Sequence, residues 1–166
     1  MLIEQIGIGI SEKFGYRVKT VSLLKEIDFA LNPDREQYHS TIILEKLATL
    51  APSNTIKLLA VCEQDLFIPI LTHVYGEAQL GGKSCIISTY HLKDSLPIVY
   101  ARKTYYNRVI KEAIHELGHT FNLRHCPDKS CCMHYCHSVK DVDNKSNLFC
   151  RYCKILIEDE IKRLAE

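Results

Sequence analysis

The stretch that most constrains this chain is His115 to His125, HELGHTFNLRH. His115 and His119 stand at i and i+4, so on a helix their rings leave one face a turn apart and can grip a single ion. Glu116 follows the first histidine directly. That puts a carboxylate beside the ion without making it a ligand, where it can take a proton from an attacking water. His125 comes six residues after His119. A continuing helix would carry it about 9 Å further along the axis and onto another face. The chain must therefore turn near Asn122. The longer pattern H-E-x-x-H-x-x-G-x-x-H has a glycine there because the turn needs positive φ, and asparagine is the next most tolerant residue for that conformation.

Six of the eight cysteines fall between Cys126 and Cys153. The opening MLIEQIGIGISEKFG has no Lys or Arg ahead of its apolar residues and has Glu4 among them, unlike a secretory signal, and no apolar run reaches membrane-span length. A soluble, cytoplasmic protein is expected, in which thiols stay reduced and clustered cysteines point to metal. Cys126 and Cys131 have four residues between them, and Cys150 and Cys153 make a CxxC. Two such pairs suit a closed tetrahedral structural zinc site; Cys132 and Cys136 compete as ligands. The plainer readings are buried free thiols or a redox CxxC, and no strand precedes Phe149 as a thioredoxin-like motif would require. Zinc is thus expected twice per chain, once at His115, His119 and His125 and once among cysteines.

With 166 residues, 46% of them hydrophobic, the chain is long enough for one domain with a real core. Its 21 basic and 20 acidic side chains leave a formal charge of +1, which creates no global field for nucleic acid or anionic lipid. Apolar spacing predicts a helix over 2–14, stopped by Gly15, and a first strand from Tyr16 to Leu23. A helix follows over 35–50. Thr55 to Cys62 has the near-continuous apolar character of a buried central strand. Phe67 to Tyr75 and Ser84 to Tyr90 flank Gly81-Gly82 as a hairpin, one member of which could be an exposed edge able to bind an extended peptide. Arg102 to Phe121 reads as the long helix that carries the histidines, with Tyr106, Ile110, Ala113, Ile114, Leu117 and Phe121 on its apolar side. Residues 137–147, HSVKDVDNKSN, read as a loop too polar to pack unaided, and 155–164 as a closing amphipathic helix.

Met133, eight residues after His125, can pack beneath the histidines in a tight turn; Tyr135 is spaced to reach the metal or an oxyanion, while His134 and His137 read as solvent-facing. Taken together, HExxHxxNxxHC, then Cys131, Cys132 and Met133, then CxxC resembles the archaemetzincins, a branch of the metzincin zinc peptidases. Arg35-Glu-Gln-Tyr38 and Tyr75-Gly-Glu-Ala78 also resemble segments of that family. The family pattern has glycine for Asn122 and about seventeen residues where this chain has sixteen between Met133 and Cys150. The resemblance implies an α/β (α+β) metzincin fold: a twisted mixed sheet and active-site helix over 1–121, and a small C-terminal subdomain over 122–166 with Met133 as Met-turn. It also implies His115, His119 and His125 as ligands of the catalytic zinc, Glu116 as general base, and Cys126, Cys131, Cys150 and Cys153 as ligands of the structural zinc. Members begin with a strand before the first helix; this sequence opens in that helix, which predicts a sheet one strand smaller.

The expected function is a zinc-dependent metallopeptidase acting on peptide or protein substrates, with water at the zinc activated by Glu116. The alternative is a zinc-stabilised peptide-binding protein with little turnover. A nucleic-acid-binding zinc module is disfavoured by the near-neutral charge and the lack of a basic aromatic stripe.

Overall fold

The computed structural model describes residues 1–166. Its centre is the short strand β6 (Ser84–Ser88), buried at every position. β3 (Leu58–Cys62) pairs with it in parallel, from Leu58 opposite Ser84 to Cys62 opposite Ser88. On the other side β5 (Gly76–Ala78) pairs antiparallel, with Gly76 opposite Ile87 and Ala78 opposite Cys85. Alternate residues of a strand point to opposite faces. Cys85 and Ile87 therefore meet α1 (Leu2–Phe14) and α3 (Ala101–Thr120), while Ile86 meets Ile43, Leu44 and Leu47 of α2 (Ser40–Leu50). A second small sheet joins β1 (Leu31–Asn32), antiparallel to β2 (Gln37–His39), with β4 (Leu66–Phe67) parallel to β2.

The α3 helix buries Val109, Ala113, Ile114 and Leu117, and its C-terminal end is closed by the turn that the histidine spacing demands. Asn122 has φ +68°. Its N–H donates to the His119 carbonyl at 2.9 Å and that of Leu123 to the Gly118 carbonyl at 3.0 Å, the paired bonds of a Schellman motif. Leu123 is then buried, and the chain leaves the helix axis toward the cleft. Beyond it, α4 (Val139–Asn144) and α5 (Arg151–Ala165) complete the chain. One apolar cluster runs from Phe14 through Ile114, Leu117 and Met133 to Ile157, so the C-terminal residues share a core with α1 and α3.

Several expectations are corrected. Tyr16 to Leu23 forms no strand. Tyr16 stacks on Phe121, Val18 lies against Gly7 of α1, and both Val18 and Val21 stay largely exposed, so the alternation has no ladder to join. The buried central strand is β6; β3 is an edge and only partly buried. The glycine pair does turn a hairpin, but its first arm is Gly76–Ala78, because Pro69 stands just after Phe67 and removes a ladder donor from the expected arm. The helix expected from residue 35 begins at Ser40, since Gln37–His39 pairs as β2. Residues 139–144 are helix rather than loop, with Val142 fully buried.

The turn at Asn122 generates a stability test. Asn122→Ala places a Cβ-bearing residue without a helpful polar side chain in the left-handed region and should cost about 1–2 kcal/mol, whereas Asn122→Gly should cost nothing. Urea unfolding of the metal-loaded proteins measures both. Equal losses would show that the backbone conformation there does not matter.

Candidate active site

The three histidines converge. His115 and His119 leave α3 one turn apart and the turn at Asn122 returns His125, with ring centroids 4.7, 4.8 and 5.3 Å apart. His115 Nδ1 lies 2.8 Å from the Cys132 carbonyl and His119 Nδ1 2.7 Å from that of Leu123. A carbonyl only accepts, so each Nδ1 carries the hydrogen and each Nε2 presents a bare lone pair. The two Nε2 atoms are 3.1 Å apart. Lone pairs facing each other at that distance repel unless a cation lies between them, and tetrahedral zinc at its usual bond length sets nitrogens about 3.3 Å apart. All three histidines offer ligand atoms within 4.8 Å of one another. Each is also held in the neutral state that a ligand needs. Burial lowers the pKa of His115 well below the usual range, with help from Lys145 and His119, and lowers that of His119. Burial and then His119 bring His125 to about 4.

Glu116 points to the same cleft from the next position of α3. Burial, reinforced by Glu112, raises its pKa well above the ordinary carboxylate range. It belongs to none of the ion pairs. The space for its side chain comes from β5: a Cβ at Gly76 would lie 2.7 Å from Glu116 Cγ and 2.9 Å from Oε1. Glu77, the next residue, is fully engaged, accepting from the hydroxyls of Ser40 and Thr41 at the start of α2. Met133 is fully buried, and a Cβ at Gly118 would run into its sulfur.

The cleft above these groups has a volume of about 590 Å³. One wall is the edge of β5. The segment after β4 forms another, held by Arg35 Nη2 donating to the Leu71 carbonyl at 2.7 Å and Gln37 Nε2 donating to that of Thr72 at 2.8 Å. Tyr135 closes the third side, with its ring 5.0 Å from that of His125. His137 is exposed and lines the cleft, but His134 is half-buried, its Nδ1 donating to the Cys126 carbonyl at 2.8 Å, which corrects its expected solvent-facing position.

Cys126, Cys131, Cys150 and Cys153 bring their sulfurs within 4.8 Å of one another. Cys126 and Cys150 are 3.7 Å apart, too far for a disulfide and close to the S···S spacing of about 3.8 Å around tetrahedral zinc. The Cys131 and Cys150 sulfurs accept backbone N–H groups of Cys150 and Cys153 at 3.3 and 3.4 Å. The bond from Cys153 lowers the Cys150 pKa, while burial raises those of Cys126 and Cys153. Cys132 and Cys136 stay outside this group. Cys132 instead points at the Lys111 carbonyl, and burial pushes its pKa up to about 12.

Sequence spacing picked out the histidine group and the two cysteine pairs that the structure brings together, because each is a short-range pattern along the chain. It did not find Glu112, Lys145 or the Gly76 contact, which depend on long-range packing. The partial signal for Gly76 and for Arg35 was that both fall in the segments singled out by resemblance.

A model of peptidase family M54 matches residues 19–159. The archaemetzincin of Methanopyrus kandleri is 33% identical over 162 residues, which cover 98% of this chain and 89% of that protein. The crystal structure of that archaemetzincin superposes with a TM-score of 0.88 over 98% of this chain and 87% of the other. The structure of Archaeoglobus fulgidus archaemetzincin, complexed with malonate, is 31% identical with a TM-score of 0.75, covering 93% of this chain and 91% of that one.

Two cysteine variants separate a metal group from ordinary buried thiols. Cys150→Ser should release one equivalent of metal and destabilise the fold severely, since structural zinc contributes on the order of 10 kcal/mol in small domains. Cys132→Ser should keep the metal. Metal analysis and thermal unfolding of both read the difference, and equal, mild effects would remove the case for a four-cysteine site.

Proposed function

The chain belongs to peptidase family M54 and is a zinc metallopeptidase acting on peptide or protein substrates; from that premise we propose which of its residues do the work. His115, His119 and His125 hold the catalytic zinc, and the observation that carries this is the pair of unprotonated Nε2 atoms facing each other at 3.1 Å. A zinc ion there supplies Lewis-acid chemistry, making water acidic near neutral pH and polarising a carbonyl.

Glu116 is the general base. It takes the proton of the attacking water and, as the C–N bond breaks, gives it to the leaving amine. A carboxylate beside the ion is suited to both steps, because it can accept the proton of the water and is acidic enough to return it to the amine. Gly76 lets it stand against β5 without hindrance. The outer edge of β5 is unpaired and lines the cleft, so an extended substrate adds there as a further strand through backbone hydrogen bonds. Tyr135, beside His125, is placed to donate to the developing oxyanion.

Cys126, Cys131, Cys150 and Cys153 hold a second, structural zinc, giving two ions per chain. In this reading 1–121 is the N-terminal subdomain that carries sheet and active-site helix, and 122–166 the zinc-bound subdomain with Met133 as its Met-turn. No helix is long and apolar enough to cross a membrane, and a thiolate-held zinc suits the reducing cytoplasm. The near-neutral charge gives nucleic acid no purchase.

Glu116→Gln tests the assignment. Both metals and the fold should persist while hydrolysis of a peptide library falls by at least about 100-fold, the usual worth of a positioned acid–base group. Metal loss in step with activity would make Glu116 a ligand; retained activity would put the reaction elsewhere.

A further inference from the structure

The cleft face of α3 carries a second carboxylate one turn before the histidines. Glu112-Ala-Ile-His115 is an E-x-x-H pair, and in carboxylate-bridged metal sites of helix bundles that i, i+3 spacing places both side chains on one ion. Glu112 lines the same cleft as the three histidines and is 3% exposed. Its charge bears on both His119 and Glu116. A fourth protein ligand would close the coordination sphere that a hydrolytic site must keep open.

Lys145 meets it from across the domain. This lysine follows α4, is 2% exposed, and sets Nζ 2.9 Å from Glu112 Oε1. The same Nζ lies 3.4 Å from His115 Nδ1 and 3.5 Å from the His134 carbonyl, so it sits behind His115, on the side away from the converging Nε2 atoms. The helix that delivers Lys145 is fastened to α3 by two other cations. Arg108 makes a two-pronged pair with Asp143 at 2.8 and 2.7 Å, and Lys111 donates to the carbonyls of Val142 and Asp143 at 2.9 and 3.1 Å. A lysine buried this deeply loses its hydration, and it is retained only where a fixed carboxylate compensates.

We propose that Lys145 is a positioning residue which holds Glu112 away from the histidine-bound metal, so that the site keeps three protein ligands and Glu116 remains its only uncommitted carboxylate. This rests on the reading above that the three histidines hold the ion. Freed of the ammonium, the Glu112 side chain turns toward the ion as a fourth ligand. Loss of Lys145 then tightens metal binding while it suppresses hydrolysis. A merely structural ion pair behaves in the opposite way, because losing an outer partner of a ligand loosens the metal by about 10–100-fold.

The test is a charge-deletion series, Lys145→Met, Glu112→Gln and the double variant, in the full-length protein. The histidine site is emptied with a mild chelator and reloaded with Co2+, whose visible d–d bands report the ligand set. The expected result for Lys145→Met is cobalt held about tenfold more tightly in chelator competition, near the lower end of what one added charged contact contributes. Its bands should also change. In the double variant, which has no carboxylate to bind, affinity and bands should return to those of the unsubstituted protein. If Lys145→Met does not fold, Lys145→Gln, which keeps a donor toward the His134 carbonyl, takes its place. Weaker cobalt binding in the single variant, or a double variant that fails to revert, would overturn the proposal while leaving the histidine site standing. Absence of cobalt bands from the unsubstituted protein would overturn the histidine site itself and the proposal with it.

Discussion

Everything at the cleft depends on how α3 ends. A helix can present two histidines to one ion by itself, but the third must come from outside it, and the backbone has to reverse within a few residues. The left-handed residue at Asn122 does this, with the carbonyls of Gly118 and His119 satisfied by the N–H groups of Leu123 and Asn122. The same reversal supplies the Leu123 carbonyl that orients His119 and buries the Leu123 side chain as an anchor. Backbone geometry, tautomer and packing are thus set by one turn.

Past that turn the chain serves two clusters in succession. His125 faces the cleft and Cys126, its neighbour, faces the other sulfurs, as adjacent residues of an extended segment do. Cys126 is also tied to the segment at Met133 and His134, its N–H donating to the Met133 carbonyl at 2.9 Å and its carbonyl accepting from His134. The two clusters are therefore joined directly by the peptide bond between His125 and Cys126. The polar residues between Cys136 and Cys150 pack by a different route. The charges of Arg108, Lys111 and Glu112 on α3 meet Asp143, the end of α4 and Lys145, so the segment is fastened by paired ions.

What could be read from the sequence was what is local. Ligand spacing, the need for a turn at Asn122, the glycine stop of α1 and the apolar face of α3 are all set by residues within a turn or two of one another. Strand assignments fared worse because a strand is defined by its partner: Tyr16 to Leu23 has the right alternation and no ladder to join, and β3 has core-like composition at a sheet edge. The polar stretch at 137–147 looked unable to pack because its partners lie some thirty residues earlier: Asp143 pairs with Arg108 and Lys145 with Glu112. Gly76 likewise has no meaning until Glu116 is seen against it.

If one chain assembles two metal centres of different chemistry joined at residues 125 and 126, anomalous diffraction at the zinc edge from crystals of the protein as purified should give two zinc peaks. One is expected within about 2.0–2.1 Å of nitrogens of His115, His119 and His125 and one within about 2.3 Å of the sulfurs of Cys126, Cys131, Cys150 and Cys153. A single peak, or a zinc coordinated by Glu116 or by Cys132, would contradict it.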